Sequence, residues 1–305
     1  GDFARIDAPR LQRHAGLDAF GVNLNQGQGA LRAWLDVSQG KATGMLVDVA
    51  LRDLNATLGA GLEPLGFDAL AGRIEASRHA GGFALTTEGL QFRTQDGLQW
   101  PGGNLALVHA SGSRGTPAHT TLKADRLDLA ALALIAGRLP LEPAVQALAA
   151  SWAPRGLLEK LDARWQGPLD APTTFAAKGR VVRLGLAAQP AAPADRPASG
   201  DQAARASRAI PGRPGLSGAT VDFNFTQNGG QASVKITDGT LELPGIFEVP
   251  RLALEQLSTQ AQWKRSGPKI DLQLRDLKFE EVQVSAPAQQ ALTRARPLRS
   301  AKGRP

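Results

Sequence analysis

Histidine is the side chain best suited to proton transfer or metal binding near neutral pH, and this chain has four, at His14, His79, His109 and His119. None has a partner at metal-ligand spacing, so each reads as a surface or strand-face residue. There is no Cys, which removes disulfides and thiolate metal sites. No Gly-x-Ser-x-Gly elbow, phosphate-binding Gly-x-x-x-x-Gly-Lys run or His-Glu-x-x-His pair occurs. Glu280 and Glu281 are adjacent and fall on opposite faces of a strand, where they cannot work as an acid/base pair. The doublets Gly81-Gly82, Gly102-Gly103 and Gly229-Gly230 sit between strand patterns, where turns need positive φ. Asn224-Phe225-Thr226 matches a glycosylation sequon but lies in mid-strand. The expectation is a non-enzyme with no cofactor and no small-molecule substrate.

The elements that would position these residues are strands. Val221, Phe223 and Phe225 alternate with polar residues, and after a turn at Gln227 to Gly230 the alternation resumes through Ala232, Val234 and Ile236. That is a β-hairpin with one apolar face. A second pair runs from Leu252 to Trp263 and back from Ile270 through Leu272 and Leu274. After Leu274 the next apolar residues are Leu277 and Phe279. A one-residue slip turns every later side chain over unless a β-bulge absorbs it. The same two-two-three-two spacing recurs in Val47, Val49, Leu51, Leu54 and Ala56, in Thr120, Leu122, Ala124, Leu127 and Leu129, and more weakly in Phe175, Ala177, Gly179, Val182 and Leu184. The hairpin around Gly81-Gly82 parallels the one around Gly229-Gly230. Four bulged strands and two like hairpins form an internal repeat.

Residues 1 to 20 suit a short helix built on Leu11, His14, Leu17 and Phe20. Between 128 and 152 the period changes. Asp128 is placed to cap a helix over Leu129 to Ala136 that stops at Gly137. A second helix starts at Glu142-Pro143 and carries Val145, Leu148, Ala149 and Trp152 on one face, giving a helical hairpin laid against the sheet. The expected division is β-groove repeats over 1–186, a disordered linker over 187–215, continuing repeats over 216–285 and a disordered basic tail over 286–305. At 305 residues, 42% of them hydrophobic, the chain can bury a sizeable core. Its net charge of +7 raises the question of nucleic acid. Five of those charges lie in the tail (Arg294, Arg296, Arg299, Lys302, Arg304) and a net two in the linker, so the remainder is neutral. A neutral body offers a polyanion no footprint, and no nucleic-acid partner is expected.

Several of these residues also resemble a family. Arg126-Leu127-Asp128-Leu129-Ala130-Ala131-Leu132, Leu139-Pro140-Leu141, Trp165-Gln166-Gly167, Leu216-Ser217-Gly218 with Gly229-Gly230, and Leu243-Pro244 with Phe247 look like the YhdP proteins, AsmA-like envelope proteins of Gram-negative bacteria. The resemblance spans about 25 to 284 and departs after Ser285, where Pro/Ala/Arg-rich sequence replaces further strands. None of its motifs is catalytic. It implies a periplasmic repeating β-groove implicated in phospholipid passage towards the outer membrane, anchored to the inner membrane by a segment absent here.

The residues themselves predict a mainly β architecture and, taken alone, favour apolar strand faces closed on one another as a β-sandwich core; with the resemblance added, the expectation becomes an elongated, twisted antiparallel sheet, curled into a groove from repeated bulged hairpins, with one inserted helical hairpin. One helical hairpin is too little cover for about a dozen one-sided strands. Val47, Val49, Leu51, Leu122, Phe223, Phe225, Val234, Ile236, Leu272 and Leu274 are expected to line the groove, with phospholipid acyl chains as partner. Two other architectures fit the alternation, a closed β-sandwich core and an outer-membrane barrel, though the absence of Tyr and the scatter of five Trp supply no aromatic girdle. A non-catalytic envelope scaffold is the other functional reading.

Overall fold

The computed structural model describes residues 2–7, 23–191 and 211–281, apart from breaks at 39–40, 60, 101, 114, 140–142, 169–171 and 247–249. Fourteen strands follow one another: β1 (Asp2–Asp7), β2 (Asn23–Ser38), β3 (Lys41–Thr57), β4 (Leu65–His79), β5 (Gly82–Thr94), β6 (Gln99–Trp100) and β7 (Leu105–Ala110). After them come β8 (His119–Asp128), β9 (Arg155–Gln166), β10 (Thr174–Leu186), β11 (Gly215–Thr226), β12 (Gly229–Glu242), β13 (Arg251–Ser266) and β14 (Lys269–Glu281). Helices α1 (Leu129–Ala136) and α2 (Pro143–Trp152) stand between β8 and β9. The strands form one antiparallel meander in sequence order, with β6 alone off the path, paired to β5. β1 and β14 end that path, so the sheet is not closed into a barrel, and no second sheet faces it among the described residues.

Residues 2–7 enter as a strand, which the mixed N-terminal sequence did not announce. The helix expected after Pro9 falls on positions outside the described residues, as do most of the expected linker (192–210) and the basic tail. The linker's flanks are tied to the body: Ala187 N–H donates to the Trp152 carbonyl at 2.9 Å, and Gly212 N–H to that of Pro244 at 2.9 Å.

The phase slips are bulges. Opposite β2, the β3 strand carries an extra residue at Asp53 (φ 51°), between the pairs Gln28↔Arg52 and Gln26↔Asn55. Opposite β13, β14 carries one at Asp276 (φ 51°), between Gln260↔Arg275 and Ser258↔Lys278. Asp tolerates this left-handed backbone better than most residues because its short side chain can satisfy local donors. In β8 the slip sits at Asp125, opposite Lys160 of β9, which is itself left-handed (φ 53°). The β10 pattern is corrected in detail. Val181, not Val182, is the buried position, and the extra residue is Arg183 (φ 53°), so the spacing there is two-two-two-three. Val181 and Val182 are both good strand formers, and only the pairing with Leu158 and Val221 decides which one faces inward.

The helical hairpin sets the curl. Asp128 caps α1 as expected, its Oδ1 accepting from Ala131 N–H at 2.9 Å, and Gly137 follows the last turn. Ile135 of α1 joins one core cluster with Leu51 and Leu54 of β3 and Leu65 and Phe67 of β4. A flat sheet would set β3 and β8 about 19 Å apart, whereas an eight-residue helix is only about 12 Å long. A helix that leaves β8 and reaches β3 therefore requires the sheet to bend round it, which makes the groove. α2 departs from expectation. No residue of α2 is buried, and Val145 and Leu148, expected to face the sheet, are 50% and 57% exposed. Leu132 and Ile135 of α1 already occupy that surface, and α2 lies against α1.

Candidate functional site

The pairing register assigns every strand residue to a face. Starting at β2, Leu35 pairs with Met45, Met45 with Ala76, Ala76 with Leu85, Leu85 with Leu107, and Leu107 with Leu122. The row continues through Ala163, Ala177, Phe225, Gly230, Trp263 and Leu272. Twelve strands thus contribute one residue each, and none of the twelve is polar. At about 4.8 Å per strand the row is about 53 Å long and runs along the groove, across the strands. One residue over, the facing row reads Trp34, Leu46, Glu75, Thr86, Ala106, Lys123, Asp162, Lys178, Asn224, Gln231, Gln262 and Gln273. Nine of those twelve are polar or charged, so from β4 to β14 the two faces separate by chemistry with Ala106 as the one exception.

The polar face is stitched by cross-strand ion pairs. Arg73 holds Asp48 (Nε to Oδ1 2.7 Å, Nη2 to Oδ2 3.2 Å) and approaches Glu88 at 3.7 Å. That guanidinium, by hydrogen bond first and by charge, keeps the Asp48 carboxyl below the usual carboxylate range, and Asp48 in turn raises Arg73. Arg93–Asp68 (3.1 Å), Lys178–Asp162 (3.5 Å) and Arg180–Asp222 (3.5 Å) repeat the device. Near α1, Thr94 donates to Asp96 and Arg138 Nη1 reaches Asp96 Oδ2 at 2.9 Å. Both contacts lower the Asp96 carboxyl, that of Thr94 the more. These groups hold shape, and all are occupied with one another.

All ten residues expected to line the groove lie on the apolar face, but the structure divides them by what covers them. Leu51 is buried under α1 with Leu54 and Phe67, and Ile236 is 2% exposed in a second cluster with Ala219 and Leu254. Val47 is also buried. These three belong to the protein's own core. Val49, Leu122, Phe223, Phe225 and Val234 are half-buried. Leu272 and Leu274 stand 61% and 55% exposed on the last strand. Phe225 is the centre of an aromatic group, 5.5 Å from Phe223, 6.2 Å from Phe175 and 6.4 Å from Trp263 by ring centroids. Beside it opens a shallow hollow of about 930 Å³ whose lining mixes Phe225, Trp263 and Leu272 with Asn224, Gln262 and Gln273 of the polar row.

Sequence reasoning missed Leu35, Met45, Leu85, Leu107 and Trp263 as floor residues. Their signal was present as plain alternation, the same signal that Phe223, Phe225, Val234 and Ile236 carry. It also missed one polar mark on the apolar face: His109 Nδ1 lies 2.9 Å from Oγ1 of Thr120, which is 0% exposed, and Phe83 stacks at 5.2 Å from the His109 ring. Among the described residues no group of three His, Asp or Glu could hold a metal ion. No described helix is long and apolar enough to cross a membrane.

A family model described as YhdP protein matches residues 3–298. The chain belongs to the YhdP protein family. The match runs past Ser285 and begins well before residue 25, so it is longer than the resemblance read from the motifs. No curated protein and no solved structure matches the chain. YhdP membership makes this an AsmA-like envelope protein, and the YhdP-like motifs have structural work in the fold. Arg126 to Leu132 is the strand-to-helix junction capped by Asp128. Leu216-Ser217-Gly218 opens β11 beside a bulge, with Gly218 at φ 77° and Ser217 Oγ 2.8 Å from Thr240 Oγ1.

Proposed function

We propose that this chain is a segment of a periplasmic conduit for phospholipid, held by its acyl chains in the groove with the polar heads at the rim, between the inner and outer membranes. The observation that carries this reading is the unbroken apolar row across twelve strands, on a face that α1 covers only in part, around Leu51, Leu54 and Phe67. Large apolar surface left without protein cover marks a binding surface. Hydrophobic contact is non-directional, so a floor of this kind accepts tails of differing length and saturation. The row also reaches the sheet's end strand β14 without a charged residue, as a path for movement between neighbouring segments requires.

Native mass spectrometry and solvent extraction of protein purified from a Gram-negative host test the proposal. Co-purifying phospholipid, exchangeable with added vesicles, is the expected result. Protein that emerges lipid-free and fails to take up a fluorescent phospholipid would refute the conduit and leave a β-rich scaffold in its place.

A further inference from the structure

The two edges of the groove differ in charge. Two residues beyond the apolar row, on the side of the hairpin turns, the register gives a second inward row: Arg78, Phe83, His109, Thr120, Trp165 and Phe175, on six neighbouring strands from β4 to β10. Farther along the same edge stands Arg265, two residues beyond Trp263. Among the described residues, Arg78 and Arg265 are the only strand Lys or Arg that pair on the inward face, and no Asp or Glu lies with them between the apolar row and the turns. At the opposite edge α1 covers Leu51, Leu54 and Phe67.

Arg78 is exposed, and among the described residues it has no ion-pair partner. Arg73, Arg93, Lys178 and Arg180 on the other face are each held by a carboxylate. His109 stands two strands from Arg78 with Phe83 between them, about 10 Å across the sheet, a gap that an arginine side chain and one phosphate group together span. Phe83 lies 5.2 Å from the His109 ring. His109 Nδ1 is 2.9 Å from Oγ1 of Thr120, which is 0% exposed and has no other side-chain hydrogen bond among the described residues. If Thr120 accepted there, its own O–H would be buried without a partner, so it donates to Nδ1 and the ring hydrogen sits on Nε2. Nε2 has no partner among the described residues, which leaves a second donor on the same edge as the guanidinium.

We infer that this edge holds the phosphate of a glycerophospholipid between Arg78 and His109, over the Phe83 ring, with the tails running along the strands towards α1. The inference rests on the lipid-conduit reading and assigns the head to one edge of the groove. Arginine takes a phosphate through charge-assisted N–H bonds in a fork geometry. Trp165 and Phe175, in the same row, supply the aromatic boundary between an apolar floor and water. The length agrees. From Arg78 to Leu70, where β4 begins to pack against the α1 cluster, the inward face runs about 26 Å, and the tails of one leaflet, half a hydrocarbon core, need about 15 Å.

Titration of the full chain with two fluorescent lipids of identical tails tests this: phosphatidic acid, whose head is a bare phosphate ester, and uncharged diacylglycerol. Arg78→Gln should weaken phosphatidic acid binding about tenfold, the loss of one charge-assisted contact, and leave diacylglycerol binding unchanged. His109→Gln should act in the same direction. Lys123→Gln removes the same charge from the outward face, opposite Ala106 and Asp162, and should alter neither. Inorganic phosphate at millimolar concentration should not displace the labelled phosphatidic acid, because the tails carry most of the affinity. A parent chain that binds neither lipid refutes the conduit and this inference with it. A parent that takes up both, while Arg78→Gln and Lys123→Gln bind phosphatidic acid equally, leaves the conduit standing and overturns the head site. Displacement by inorganic phosphate marks a site for free phosphate and overturns it as well.

Discussion

Replacing Leu35 by Asp separates a groove floor from a closed core. Leu35 opens the apolar row on β2, opposite Met45, and is 62% exposed. Full burial of a leucine contributes about 1.5–3 kcal/mol, so the protein itself realises about two-fifths of that, about 0.6–1.1 kcal/mol. The rest, about 0.9–1.9 kcal/mol, is available only to an acyl chain lying over it. Leu35→Asp should therefore lower folding stability by about 1 kcal/mol and weaken lipid binding about 5- to 25-fold from the lost contact alone. Ile236→Asp is the control: at 2% exposure it places a carboxylate in the core formed with Ala219 and Leu254 and should cost about 4 kcal/mol or more. Circular dichroism melts give the first quantity, and titration with a fluorescent phospholipid the second. If Leu35→Asp unfolds the protein as Ile236→Asp does, or if it binds lipid as well as the parent, the division between floor and core is wrong.

Other positions give sharper local tests. Asp53→Gly should hold or raise the melting temperature while Asp53→Val lowers stability by about 1–2 kcal/mol, because a β-branched residue resists φ 51°. Asp128→Ala removes the α1 cap and should cost about 1 kcal/mol, read as faster amide exchange in Leu129–Ala136. Asp96 has a lowered pKa through Thr94 and Arg138, so its contribution is complete above the unfolded value of about 3.9 and disappears as pH falls through the lower folded value. The stability gap between parent and Asp96→Asn should accordingly stay constant at neutral pH and close only in that acid window, in denaturant titrations at a series of pH values. Arg213 lies 4.1 Å over the Trp152 ring and donates to the Ser151 and Ala187 carbonyls, so Arg213→Ala should free the end of α2 and raise protease cutting near Trp152.

Strand faces and bulges were legible in the sequence because a period of two records them directly, and a slip of one leaves a mark in spacing. The slips between Leu51 and Leu54 and between Leu274 and Leu277 could be placed to within two residues for that reason, and the backbone puts them at Asp53 and Asp276. Arg183 could not, since two valines precede it and only the neighbouring strands choose between them. The helices were legible in extent through Asp128 and Pro143, and less so in placement. Val145, Leu148 and Trp152 form an apolar stripe that local periodicity assigns to the sheet, while α1 takes the sheet instead. The stripe records amphipathicity but carries no information about which neighbour arrives first. Which lining residues the protein covers itself was likewise hidden. Leu51 and Leu272 have the same pattern, and only the curl of the sheet puts one under α1 and leaves the other open.

The continuous floor has a bearing on direction. From Leu35 to Leu272 its successive residues differ in size but carry no charge, and Trp263 with its indole N–H is the one clear hydrogen-bond donor among their side chains, so an apolar cargo meets similar ground at each strand. Ground of that kind offers neither a deep resting place nor a ratchet, and it looks alike from both ends. If the groove carries lipid as proposed, that lipid drifts by diffusion, and net flow can only run downhill, from whichever end is kept fuller to whichever is kept emptier. The vectorial step must therefore be taken where lipid is loaded or unloaded, and reversing the supply should reverse the traffic.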